Sequence, residues 1–194
     1  DDKNEVPNYR AAQDNALAEG IFSGIYGQID RTAKQDSLKM IDSLNCPILT
    51  ISGTAYPYTF TLDFGVQCLC NDGRIRSGQV VSTITGPYLD STSAITSTLI
   101  NYYETINNVD YHVTGTNEVV NLGKNVSGHP CFSVNVTNAS ITSVHGTITW
   151  ASQRIREFAQ GYDTWLNPFD DVYLITGQSN GTDINGAAYS VNII

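Results

Sequence analysis

Residues 94–120 read AITSTLINYYETINNVDYHVTGTNEVV. β-Branched and aromatic residues fill both halves, and Ile106-Asn107-Asn108 stands between them. Asparagine tolerates the left-handed backbone that a tight hairpin turn demands. The segment therefore predicts two antiparallel strands, Ala94–Ile106 and Val109–Val120. In the second, Val109, Tyr111 and Val113 point one way, while Asp110, His112, Thr114 and Thr116 point the other. That alternation describes a sheet with one covered face and one solvated face.

The same reading extends in both directions. Strands are expected at Ile48–Ser52, Tyr58–Phe64, Ile75–Thr85, Cys131–Thr137, Ser140–Val144, Thr147–Ala159, Val172–Thr176 and Ala188–Ile194. Asn71-Asp72-Gly73 and His145-Gly146 supply further hairpin turns. Short connections make successive strands antiparallel neighbours, so the β region 48–194 predicts a meander. Phe132, Val134 and Val136 oppose Ser133, Asn135 and Thr137. Ile148, Trp150 and Phe158 share their face with Arg154 and Arg156. Four expected strands close on Gly53, Gly86, Gly115 and Gly177, where glycine marks a strand end or a bend.

Ahead of the sheet the character changes. Residues 1–50 hold eight acids and five bases, whereas 51–194 hold eleven and five. Residues 1–8 read as a flexible arm and 9–194 as a single domain, whose helical segment spans 9–45. From Tyr9 to Lys34, Leu17, Ile21, Ile25 and Ile29 recur every fourth position, flanked by Phe22 and Tyr26. Gly20, Gly24 and Gly27 each weaken this helix by up to about 1 kcal/mol, so it needs packing against something larger. The glycines also suggest a close approach to a sheet. A second helical turn is expected over Ser37–Leu44, ended by Pro47. The fold class is α+β, mainly β: an N-terminal helix packed on a large antiparallel meander sheet. The alternative is a two-sheet sandwich with the helix at its edge.

The chain has 194 residues, 15% of them charged, with a net charge of −9. This balance excludes a basic face for nucleic acid and charge-driven docking on an anionic membrane. Four cysteines, Cys46, Cys68, Cys70 and Cys131, point to disulfides in an oxidising compartment, since their spacing fits no zinc motif. Cys46 with Cys68 is the preferred pair; Cys70 with Cys131 is a second candidate, the alternative being two free buried thiols.

The run Thr59–Tyr88, TFTLDFGVQCLCNDGRIRSGQVVSTITGPY, resembles a group of secreted lipoproteins of Bacteroidetes. Its features are a strand ending in DFG, a nearby cysteine, a D-G-R turn and a strand ending in TG-x-Y. Asn101-Tyr102-Tyr103, Thr149–Glu157, Asp170–Gly177, Asn185-Gly186 and the helix around Ala18–Asp30 fit the same pattern. The resemblance implies an extracytoplasmic protein, outer-membrane-anchored or secreted. The anchor would be a lipid on an N-terminal cysteine outside this sequence. It implies no activity, cofactor or metal.

Candidate chemistry is sparse. His112 and Asp110 share one strand face, but an exposed polar face explains them. Asp163, Asp170, Asp171 and Asp183 have no calcium-loop spacing. Arg154 and Arg156 share a face that suits a bidentate anion grip, or a cross-strand ion pair with Glu104, Glu118 or an aspartate. Tyr162, Trp165, Phe169 and Tyr173 gather rings and polar groups in one loop. That loop is either a sugar-stacking platform or a plug for the core. The expected function is a non-enzymatic binding module for glycan or an envelope or surface protein. The alternatives are a structural, envelope-assembly protein and, last, a hydrolase.

Overall fold

The computed structural model describes residues 9–34, 46–164 and 170–194. The arm 1–8 and the expected turn Ser37–Leu44 lie outside the described residues. Among the described residues, one helix, α1 (Tyr9–Lys34), precedes ten strands. They are β1 (Ile48–Ser52), β2 (Tyr58–Asp63), β3 (Cys68–Leu69), β4 (Ile75–Ile84), β5 (Ala94–Ile106), β6 (Val109–Lys124), β7 (Pro130–Ser143), β8 (Gly146–Gln160), β9 (Val172–Thr182) and β10 (Ala188–Ile193). All belong to one antiparallel sheet in the order β1-β2-β4-β5-β6-β7-β8-β9-β10, with short β3 beside β4. This is the expected meander with its N-terminal helix, open at β1 and β10 and not closed into a barrel.

The sheet bends along a line of bulges. Register shifts interrupt β4–β5 between Ser77 and Gln79, β5–β6 between Thr98 and Tyr102, β6–β7 between Thr114 and Thr116, and β7–β8 between Val136 and Ala139. Gly78, Asn101, Gly115 and Asn138 take positive φ at these places. The extra residue lies in β5 against both β4 and β6, and in β7 against both β6 and β8, which adds bend and twist at one level of the sheet. A Cβ on Gly78 would sit 2.0 Å from the Asn101 carbonyl oxygen, so that crossing requires glycine. The sequence reading splits β7 at Asn138, where the structure instead carries the strand through a bulge.

The bend wraps the sheet around α1. On one flank, Arg74 ahead of β4 donates to the Gly20 carbonyl at 2.9 Å. On the other, Arg154 of β8 pairs with Glu19 at 2.7 Å, and Lys34 reaches the Tyr173 hydroxyl of β9 at 3.2 Å. Ala18, Ile21, Phe22, Ile25, Tyr26 and Ile29 are buried, half-buried Leu17 packs against them, and Ala11 is buried two turns earlier. Phe22 stacks on Trp150 with centroids 5.3 Å apart. Trp150 Nε1 and Ser179 Oγ both donate to Asn15 Oδ1, at 3.0 and 2.9 Å. Close approach explains only one helix glycine: a Cβ on Gly24 would meet Arg74 and Arg76, while Gly20 and Gly27 face open space.

A disulfide joins Cys46 to Cys68, as preferred from the sequence. The second pairing is corrected: Cys70 and Cys131 are both free and buried. Cys70 lies just past β3 against β4, and Cys131 heads β7, with β5 and β6 between them in the sheet.

Beneath α1, a charged cluster fills space that an apolar core would normally occupy. Arg76 and Glu104 are fully buried. Arg76 grips Asp72 with two bonds of 2.8 and 2.7 Å and donates from Nε to the Tyr102 hydroxyl at 3.0 Å. Glu104 also accepts from Arg74 Nη1. Two arginines against two carboxylates leave no net charge, which is what makes their burial tolerable.

Candidate functional site

The residues expected to form a site divide into three groups. Trp165 and Phe169 lie outside the described residues. Arg154 is buried in the helix–sheet seam, where its Nε and Nη2 meet the Glu19 carboxylate. The ion pair proposed for it exists, but the partner comes from the helix and not from a neighbouring strand or an aspartate. Arg156, Tyr162 and Tyr173 do come together, around Phe158. The Arg156 guanidinium lies 4.3 Å from the Tyr26 ring centroid and 5.4 Å from that of Tyr173. Tyr173 stacks on Phe158 at 4.4 Å, and Tyr162 meets Phe158 edge-on at 6.2 Å.

These rings are spent on one another. Tyr26 and Tyr88 point their hydroxyls at Asp30, and Tyr88 donates to it at 2.6 Å. Burial, reinforced by Asp30, holds both phenols well above their ordinary pKa. Burial alone would lower the Lys34 ammonium, but the Asp30 charge and hydrogen bond outweigh it and raise its pKa. Burial lifts the Asp171 carboxyl, with Lys34 opposing. The cluster locks the last turn of α1 onto β8 and β9. Phe158 and Tyr26 are buried within it, and Tyr173 is partly buried.

The histidine candidates are likewise engaged. His112 stacks on Tyr103 at 4.7 Å, and its strand neighbour Asp110 accepts from Thr105 at 2.6 Å. His129 Nδ1 lies 2.6 Å from Glu157, and that hydrogen bond lowers the Glu157 pKa. Among the described residues, no three His, Cys, Asp or Glu side chains stand together to hold a metal ion. Asp183 instead caps the β9–β10 turn, accepting from the Asn185 and Ala187 amides, and Asp170 accepts from Thr164.

The outer face carries a feature that the sequence reading did not assemble. Strand register aligns Ser52, Thr59, Thr83, Thr96, Glu118, Asn135, Gln153, Gln178 and Asn192 as successive cross-strand partners. Every position is polar, and only Glu118 is charged. Eight interstrand steps of about 4.8 Å make the row nearly 40 Å long when measured along the sheet. Its carboxamide end opens into a trough of about 410 Å³, lined by Ser133, Asn135, Gln153, Ile155, Gln178 and Asn192. Gln178 donates to Gln153 at 3.1 Å, which orients both amides. Each carboxamide offers donors and acceptors together, and Ile155, 40% exposed, supplies an apolar floor. Gly177 makes the trough possible. A Cβ there would lie 2.1 Å from the Gln153 carbonyl oxygen, at φ +127°.

Such a surface can hydrogen-bond hydroxyl-rich, uncharged ligands from both donor and acceptor sides. It has no nucleophile paired with a base. In sequence its four amides lie far apart, and period-2 polarity alone does not reveal the register that joins them. No protein-family model, curated protein or solved structure matches the chain in the comparisons made.

Proposed function

We propose that this protein is an extracytoplasmic binding module, carried at the cell surface by a lipid anchor, that holds neutral glycans on the outer face of its sheet without chemically altering them. The observation that carries this reading is the trough of four carboxamides, Asn135, Gln153, Gln178 and Asn192, around Ile155. Sugar hydroxyls are both donors and acceptors, and carboxamides match them in both roles. A net charge of −9 disfavours anionic polymers, so the ligand is neutral. The Cys46–Cys68 disulfide supports an oxidising compartment.

Isothermal titration against neutral and anionic polysaccharides tests the proposal. A neutral glycan should bind, and the double variant Gln153→Ala, Gln178→Ala should lose at least tenfold in affinity. Both side chains are exposed, so its melting temperature should stay close to that of the native protein. Trp165→Ala is the contrasting variant. Binding lost there and kept in the double variant moves the site to the 162–173 loop and overturns the trough. Binding only to anionic polymers, or to none, overturns the glycan reading.

A further inference from the structure

Three of the four cysteines meet at one point. Cys68 of β3 and Cys70, two positions on, point their sulfurs into the same buried space. Cys68 Sγ is already bonded to Cys46, and the free Cys70 sulfur stands 3.5 Å from it. A thiol this close to a disulfide sulfur is placed as an internal nucleophile. Cys68 and Cys70 are buried, at 1% and 5% exposure, whereas Cys46 is only partly buried.

We infer that Cys46, Cys68 and Cys70 form a thiol–disulfide exchange site in which Cys70 displaces Cys46 from Cys68. The Cys70 thiolate attacks Cys68 Sγ. The Cys68–Cys70 bond forms as the Cys46–Cys68 bond breaks, and Cys46 departs with the bonding electron pair. Cys46 then takes up a proton from water, equal to the one Cys70 released. One disulfide replaces another, so no oxidant or reductant is consumed.

Position favours this direction of attack. The departing sulfur is the most solvated of the three, and a better-solvated thiolate leaves more readily. The product joins two residues already in contact and frees the chain ahead of β1 from its link to β3. It also presents a thiol at Cys46, where an external disulfide or electrophile can reach it. The cost lies in making the nucleophile. Burial pushes the Cys70 thiol up, Arg76 of β4 pulls it down, and Asp72 and Glu104 push it up again. Exchange should therefore be slow at neutral pH and accelerate about tenfold per pH unit while the thiolate is scarce.

The experiment is alkylation of the native, folded protein with a maleimide at pH 7.5 and 8.5, quenched in acid and followed by peptide mapping. The expected product carries the label on Cys46 and an internal disulfide between Cys68 and Cys70 in one peptide. It should accumulate with time and about tenfold faster at the higher pH. Cys70→Ser should cut labelling at Cys46 at least tenfold, and Cys131→Ser should leave it unchanged. If Cys70→Ser misfolds, the map of the native protein decides alone, because only exchange produces the Cys68–Cys70 crosslink. Persistence of Cys46–Cys68 as the sole disulfide overturns the inference, whether the label falls on Cys70, on Cys131 or nowhere.

Discussion

Replacing Glu104 by glutamine should destabilise the protein by breaking a buried ion pair. The carboxylate is fully buried, accepts hydrogen bonds from Arg74 Nη1 and from the Tyr102 hydroxyl at 3.3 Å, and lies 3.3 Å from Arg76 Nε as an ion pair. The amide keeps one acceptor oxygen, loses the charge and turns a donor toward two guanidinium groups. Removing one partner from a buried ion pair costs roughly 3–5 kcal/mol. Arg76 retains its two bonds to Asp72, and the Arg74 side chain is 34% exposed, so the loss should fall at the lower end, about 3 kcal/mol. In a chain of this size that corresponds to about 6–12 °C in melting temperature. Urea unfolding followed by tryptophan fluorescence measures it, with calorimetry as a second probe. The pair Arg76→Met, Glu104→Leu should cost less than the sum of its single replacements, since it removes the charges together. The reasoning is refuted if Glu104→Gln stays within about 1 kcal/mol of the native protein, because the cluster would then be solvated or redundant.

Two further outcomes follow from the same geometry. Burial raises the Asp72 carboxyl, but the Arg76 and Arg74 interactions outweigh it and leave its pKa below the ordinary value. A depressed carboxylate stabilises the fold above its unfolded pKa, about 3.9, and that share is lost as pH falls through the lower folded value. The melting deficit of Asp72→Asn should therefore be constant from pH 7 to 5 and shrink below pH 4; a deficit unchanged at pH 2.5 contradicts this. Gly177→Ala drives a methyl against the Gln153 carbonyl and should cost about 2–3 kcal/mol in denaturant unfolding. Gly186→Ala, at φ +82° with open space around it, should cost about 1 kcal/mol, and equal losses would show that packing at Gly177 is not the cause.

Much of the fold is readable from short-range chemistry. Asn107 and Asn108 take the positive φ that the hairpin reading requires, and β5 and β6 pair across them. The same cue misleads at Asn138. Its φ of +54° looks like a turn, yet flanking Thr137 and Ala139 still pair with Thr116 and Trp150, so the residue is a bulge. Gly177 reads as the end of a strand, but β9 continues to Thr182, because glycine there permits a close crossing with β8. β3, two residues long, is too short to show any alternation. The site was less legible for a related reason. A strand pattern directs the search for the partner of Arg154 to adjacent strands, whereas Glu19 approaches from the helix above. The carboxamide trough exists only once register brings Asn135, Gln153, Gln178 and Asn192 side by side.

The helix packed against the sheet also sets the order in which the molecule can be built. Nearly every strand pairs with its neighbour in the chain, so the sheet can grow as hairpins form one after another. Asp14, Asn15 and Glu19 must wait: their partners Ile184, Ser179, Trp150 and Arg154 lie 135 to 170 positions downstream. During synthesis α1 therefore emerges long before the surfaces that hold it. Three glycines keep it too weak to stand alone, so its apolar stripe stays dispersed along a fluctuating chain until β8 and β9 arrive. A stronger helix would expose that stripe as a sticky surface throughout the delay. Weakness in the first element is what lets the last ones close the structure.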